Sequence, residues 1–177
     1  MTLTGWRIRD QANCLPRDGR RPRRELQIAS GRRVDKGIAS KYAYHRWRPI
    51  TAITATDQGN PNTTTDPTWV PLANTANDPS YPGAHAEFSQ AAATVLENFF
   101  GTDAFTFSLS NPSVNITRTF TSFSQATNEA SESRIFAGQH FQYDQNAGQA
   151  QGSRVAASVL GNAFQRLGHH GRDRSDR

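Results

Sequence analysis

YPGAHAEFSQAAATVLENFFG, residues 81–101, reads as a tight turn running into a long amphipathic helix. Phe88, Ala92, Val95, Leu96 and Phe99 recur at helical spacing and predict one apolar face. Gly101 marks the end, because glycine most readily takes the left-handed backbone of a helix terminus. Pro82, Gly83 and Ala84 form the turn, so the helix begins around His85. A helix of this length with one apolar side needs other helices to cover it, and the flanking sequence supplies them.

Upstream, residues 57–83 hold Gly59, Pro61, Pro67, Pro71, Pro79 and Pro82 and read as one long loop. Before it, DKGIASKYAYHRWRPITAI (35–53) has helix character. Pro49 places a break or kink near Arg48, since proline lacks the amide proton and crowds the preceding turn. Downstream, AFTFSLS (104–110) and VNITRTF (114–120) alternate like strands across Asn111-Pro112-Ser113, which predicts a hairpin. A helix is expected from about Ser122 towards Arg134, and a last one over Asp144 to Leu160. Its apolar face would be Ala147, Ala150, Val155, Val159 and Leu160, with Gly148 and Gly152 permitting close packing. The fold class is mainly α: a partial helical bundle with one short β-hairpin.

Composition narrows the function. At 177 residues the chain suffices for one compact domain, and with only 35% hydrophobic residues much of it is surface, loop or tail. No apolar run approaches the roughly 18 residues of a membrane span, and no apolar stretch follows the basic N-terminus as in a secretory signal. The single cysteine, Cys14, excludes an internal disulfide and a cysteine metal cage. Charge is uneven: residues 1–34 carry a net +6, residues 35–165 a net −3 and residues 166–177 a net +2. The basic character thus belongs to the ends. A basic end can attract nucleic acid, but an Arg-, Pro- and Gly-rich leader fits a solvated, disordered segment better. The expected organisation is a disordered leader at 1–34, one catalytic domain at 35–162 and a disordered tail at 163–177.

Three polar clusters interrupt the apolar pattern. Lys41 and Arg48 are nearly two helical turns apart and would leave one helix face, able to converge on an anion or simply to form a solvated basic face. In YPGAHA (81–86) the turn amides and the helix start favour an anion, and the helix terminus should lower the pKa of His85. That His85 can serve as an acid–base group or as a packing residue. In SRIFAGQHFQYD (133–144), His140 and Asp144 are one turn apart, so the carboxylate can fix one ring nitrogen and leave a lone pair on the other. Arg134 is off that face on a continuous helix, and Gly138 offers the break that would bring it in. An ordinary ion pair beside a core histidine is the plainer alternative.

The order and spacing of the three clusters resemble the signature of the vanadium-dependent haloperoxidase and type 2 phosphatidic acid phosphatase superfamily, over about residues 35–162. The resemblance implies a helical bundle of the haloperoxidase and acid phosphatase type. It implies that Lys41, Arg48 and Arg134, with the backbone at Gly83 and Ala84, bind vanadate or its analogue phosphate. His140 would be the apical partner that bonds vanadium, or attacks phosphorus in a phosphatase. His85 would be the acid–base group, and Asp144 would orient His140. The implied activity is a peroxidase that oxidises halide with hydrogen peroxide. The alternatives are an acid phosphatase cleaving a phosphate ester through a phosphohistidine, and an inactive fragment.

Three departures qualify the resemblance. The second motif usually reads Pro-Ser-Gly-His; here Gly83 lacks the hydroxyl, and Ala84 adds a methyl where the backbone approaches the anion and resists positive φ. Asp78 stands near where haloperoxidases often place an aromatic or a histidine beside the halide, and a carboxylate there repels halide. Relatives also carry several helices before the first motif, whereas the leader here does not resemble family sequence. That implies an N-terminal truncation and an uncovered apolar face inclined to associate, for instance as a homo-oligomer.

Overall fold

The computed structural model of the chain describes residues 7–8, 39–56 and 59–162. The expectations for the leader and for the tail fall outside these residues, apart from Arg7 and Ile8. After a helical segment at 39–44, the elements are α1 (Pro49–Thr54), α2 (Ala84–Phe100), the strands β2 (Phe107–Asn111) and β3 (Ile116–Phe120), α3 (Phe123–Phe136) and α4 (Gln142–Asn162). β2 and β3 pair antiparallel from Phe107↔Phe120 to Asn111↔Ile116, and a two-residue strand β1 (Arg7–Ile8) pairs antiparallel with β2. The protein is mainly α with a short hairpin, as its periodicity predicts.

The helix ends follow their sequence signals. Ser122 caps α3 by accepting a hydrogen bond from the Gln125 amide at 3.0 Å. Gly101 closes α2 with φ 72°, and Gly138, at φ 70°, turns the chain between α3 and α4. Pro49 begins α1 directly after the extended Arg48, so the expected break spans residues 45–48.

The core lies between α2 and α4; Val95, Val155 and Val159 are buried as expected, and the rest of the two expected faces is corrected. The buried apolar residues are Ala86, Ala91, Ala93 and Val95 on α2 with Val155, Ala156 and Val159 on α4. Phe88, Ala92, Leu96 and Phe99 are only half-buried, Ala147 is half-buried and Ala150 is exposed. The cause is the closeness of the two backbones. A Cβ on Gly148 would land on the Gly83 carbonyl oxygen, and one on Gly152 on the carbonyl oxygen of Glu87. Small residues therefore face the crossing and the larger ones flank it. Burying Val95 and Val159 completely stabilises by roughly 1.5–3 kcal/mol each, and the alanines contribute less.

A second cluster fastens the hairpin. Phe100, Phe105 and Phe123 pack with ring centroids 4.5–5.9 Å apart, and Phe107 meets both Phe123 and Phe120 at 5.5 Å. On another face Tyr42, Tyr44, Trp47 and Tyr143 are about half exposed. Tyr81 links Tyr44 to Tyr143, and Tyr143 stacks on Phe141. No described helix is long and apolar enough to cross a membrane.

Candidate active site

The first turn of α4 carries the densest polar cluster. Asp144, fully buried, places Oδ2 where three donors reach it: the Ser80 hydroxyl at 2.6 Å, the Phe141 amide at 3.0 Å and His140 Nδ1 at 3.2 Å. Ser80 gives its proton to the carboxylate, so the contact of its oxygen with Nδ1 at 3.3 Å is made by a ring N–H. The proton thus sits on Nδ1, and Nε2 keeps its lone pair. That lone pair accepts from Arg48 Nη1 at 3.0 Å.

Arg48 and Lys41 arrive by a route other than the one expected. They do not share a continuous helix face. His45, at φ 46°, ends the helical segment between them, and the Ser80 amide donates to the Arg46 carbonyl at 2.9 Å, tying residues 45–48 to the loop before α2. Both cations are nearly completely buried. Arg48 Nε donates to the Asp78 carbonyl at 2.9 Å and Nη1 to the Gln139 carbonyl at 2.9 Å. Lys41 Nζ donates to the Pro79 carbonyl at 2.6 Å and the Ser80 carbonyl at 3.3 Å. The Asp78 carboxylate bridges them, 2.7 Å from Arg48 Nη2 and 3.1 Å from Lys41 Nζ. Asp78 is thus placed against the cations themselves.

Arg134, half-buried in the last turn of α3, joins through Gln139, whose Oε1 accepts from Nη2 at 3.4 Å. Gln139 is held by its own side-chain donation to the Ala73 carbonyl at 2.6 Å. Arg134 Nε, Asp144 Oδ1 and both polar atoms of the Gln145 side chain are buried with no hydrogen-bond partner.

The turn before α2 departs from expectation in two ways. The Gly83 amide donates to the Asp144 carbonyl at 2.8 Å, so it locks α2 to α4 and is not turned towards an anion. Ala84 is the first residue of α2 and is absent from the residues with positive φ, so its methyl strains nothing. Glycine at 83 has a packing reason: a Cβ there would lie 2.7 Å from Gln145 Nε2. His85 is exposed on the first turn of α2. Ser80, Gln139 and Gln145 carry no motif of their own. Their only signal in the sequence is adjacency to YPGAHA, His140 and Asp144, which puts polar side chains where the chain must be buried.

Burial is the leading influence on His140, Asp144, Asp78, Lys41 and Arg134. It lowers the His140 pKa, opposed by the hydrogen bond to Asp144 and reinforced by the nearby Arg48, so the ring is neutral near pH 7. It raises the Asp144 carboxyl, but hydrogen bonds from His140, Ser80 and the Phe141 amide outweigh it and hold the group below its ordinary value. Asp78 behaves alike, with Lys41 and Arg48 overcoming its burial. Lys41 is lowered by burial against the pull of Asp78, and Arg134 by burial and then by Arg48.

A pH dependence follows. The fold holds His140 less basic than the unfolded chain does, so below the ordinary histidine value of about 6.5 protons bind the unfolded state preferentially and stability falls. Asp144 and Asp78 stabilise above the ordinary carboxylate value of about 4, and that contribution is lost as pH falls through their lower folded values. Urea denaturation should show the midpoint decreasing below about pH 6.5, with the step flattened in His140→Gln. A midpoint independent of pH between 8 and 5 would contradict a buried neutral imidazole.

Known structures share this arrangement of helices. A bacterial vanadium-dependent iodoperoxidase matches with a TM-score of 0.67 at 26% identity, over 79% of this chain and 32% of its own. The holo form of a bacterial vanadium-dependent chloroperoxidase matches with a TM-score of 0.63 at 16% identity, over 76% of this chain and 34% of its own. The apo-type structure of a bacterial vanadium-dependent chloroperoxidase gives 0.64 at 17% identity, over 85% and 39%. This chain spans about a third of the length of these proteins. No curated protein matches it. The profile of the VCPO second helical-bundle domain matches residues 33–168, most of the chain, and the protein belongs to that family, within the vanadium haloperoxidase superfamily that its three motifs resemble.

Proposed function

We propose that the protein binds vanadate and oxidises halide with hydrogen peroxide. The observation that carries the reading is the juxtaposition of a neutral, lone-pair-bearing His140 Nε2 with the buried guanidinium of Arg48 at 3.0 Å, Lys41 being joined to Arg48 through Asp78. These residues suit a small oxyanion: the cations match its charge, and the unpartnered Arg134 Nε is a further buried donor. Bound vanadate would supply a Lewis-acidic centre that activates hydrogen peroxide towards halide.

The roles of the chain's own groups follow from their chemistry. Lys41, Arg48 and Arg134 neutralise the oxyanion's oxygens in a partly dry site, where one well-placed donor contributes on the order of 3 kcal/mol. His140 presents Nε2, and Asp144 with Ser80 keeps the proton on Nδ1 so that the lone pair points one way. His85, exposed at the start of α2, moves protons to and from the reacting oxygens. Ala84, at the helix start, adds its backbone amide as a donor to the oxyanion.

The test is vanadate loading of the purified chain, vanadium analysis, and halogenation of a phenolic reporter with peroxide and iodide, bromide or chloride. Stoichiometric vanadium with halide-dependent turnover is expected. Hydrolysis of a phosphate ester that vanadate inhibits, without halide oxidation, would assign the site to a phosphatase instead. A folded sample that retains neither vanadate nor phosphate would end both readings.

A further inference from the structure

Asp78 has the chemistry of the oxyanion proposed for the surrounding cations. Its carboxylate sets one oxygen on Arg48 at 2.7 Å and the other on Lys41 at 3.1 Å, and its own carbonyl accepts from Arg48 Nε at 2.9 Å. With the carbonyls of Pro79 and Ser80, this segment takes all three directions of the Lys41 ammonium. Arg48 commits four of its five N–H groups, to Asp78, the Gln139 carbonyl and His140 Nε2. An oxyanion can therefore reach Lys41, and all but one N–H of Arg48, only by taking the place of a group already there. Of those groups, only Asp78 is both anionic and attached through a side chain able to rotate away.

We infer that Asp78 is an internal anion that occupies the oxyanion site and must be displaced when the oxyanion binds. Geometry allows the exchange. The Asp78 side chain is 34% exposed, whereas Lys41 and Arg48 are at 4% and 8%. Asp78 lies on the wall of an open cleft of about 510 Å³ that Arg48, Asn77, Thr75 and Trp47 also line, so the carboxylate has water to enter. Electrostatics favours it as well. With Asp78 in place the charged side chains Lys41, Arg48, Arg134, Asp78 and Asp144 sum to +1, and its withdrawal raises the local charge to +2, better matched to a multiply charged oxyanion. Two roles then meet in one residue. Asp78 keeps two buried cations paired before the ligand arrives, and it sets a threshold of charge and oxygen count that a halide ion does not meet.

This inference rests on the oxyanion-binding reading, and one titration separates the two. Orthovanadate and, separately, inorganic phosphate are titrated by calorimetry into the 177-residue protein and into Asp78→Asn and Asp78→Ala, each checked for helix content by circular dichroism. Removing the competing charge should tighten vanadate binding tenfold or more in both variants. Binding that is unchanged or weaker in folded variants makes Asp78 an orienting partner of Arg48 and overturns the proposal, with the oxyanion reading intact. No binding by the original protein or by either variant overturns both. Should the variants fail to fold, a structure of the original protein saturated with vanadate decides. Asp78 oxygens beyond 4 Å from Lys41 and Arg48 support displacement, and a carboxylate still bridging them rules it out.

Discussion

His140→Ala should abolish vanadate retention and halide oxidation together, while Arg166→Ala leaves both unchanged. The substitution removes the Nε2 lone pair and the group that Arg48 Nη1 approaches at 3.0 Å. Losing one preorganised transition-state group typically costs a factor of about 10²–10³ in turnover, and loss of the atom that would bond the cofactor costs more. The same change removes one of the three donors to the buried Asp144 Oδ2. A hydrogen bond to a charged group contributes about 1.5–3 kcal/mol, so a drop in stability is also expected. Vanadium per chain after loading and gel filtration, measured on samples of equal helix content, separates the two effects. Equal vanadium content in the two variants would refute the assignment of His140.

The fold was legible because its signals are local. Pro49, Gly101, Ser122 and Gly138 each act within a turn or two of themselves, and each marks a boundary or break that is present in the structure. The hairpin was legible from strand alternation around Asn111-Pro112-Ser113. The buried faces of α2 and α4 were legible only in Val95, Val155 and Val159, because the rest of each face is set by how closely two backbones approach. Periodicity finds large apolar residues such as Phe88 and Leu96, whereas this crossing selects small ones. The same limit applies to the site. His140, Asp144, Arg48 and Lys41 could be named from spacing, but their link runs through Ser80, Gln139 and Asp78, which converge only after the loop before α2 folds back on residues 45–48. The role of Asp78 changes most. The resemblance implies a negative charge near where relatives hold the halide; in the structure it is the counter-ion of the two buried cations.

The second large effect is mechanical. Gly148→Ala and Gly152→Ala should each destabilise the protein, although alanine is the better helix former by about 0.5–1 kcal/mol. The obstacle is backbone. On Gly148 a methyl would strike the Gly83 carbonyl oxygen and crowd the Glu87 amide at 3.1 Å; on Gly152 it would strike the Glu87 carbonyl oxygen and crowd the Ala91 amide at 3.0 Å. Neither neighbour can rotate away, so α4 must move off α2. Overpacking of this kind costs about 1–3 kcal/mol at one site. The two residues share one interface, so the double variant should not be a simple sum. Gly161→Ala provides the opposite sign, because among the described residues no atom beyond its own helix and chain neighbours lies within 4 Å of a Cβ there, and the helical preference of alanine should stabilise it slightly. Gly148→Ala should also weaken vanadate binding more than Gly152→Ala does. It acts one turn from Asp144, whose carbonyl holds the Gly83 amide at 2.8 Å, and a shift there moves His140 relative to Arg48. Urea midpoints for the three single variants, with vanadate affinity for the first two, test this directly. Stability gained by Gly152→Ala would mean that α2 and α4 are not in backbone contact, and the small-residue crossing that carries the site would have to be abandoned.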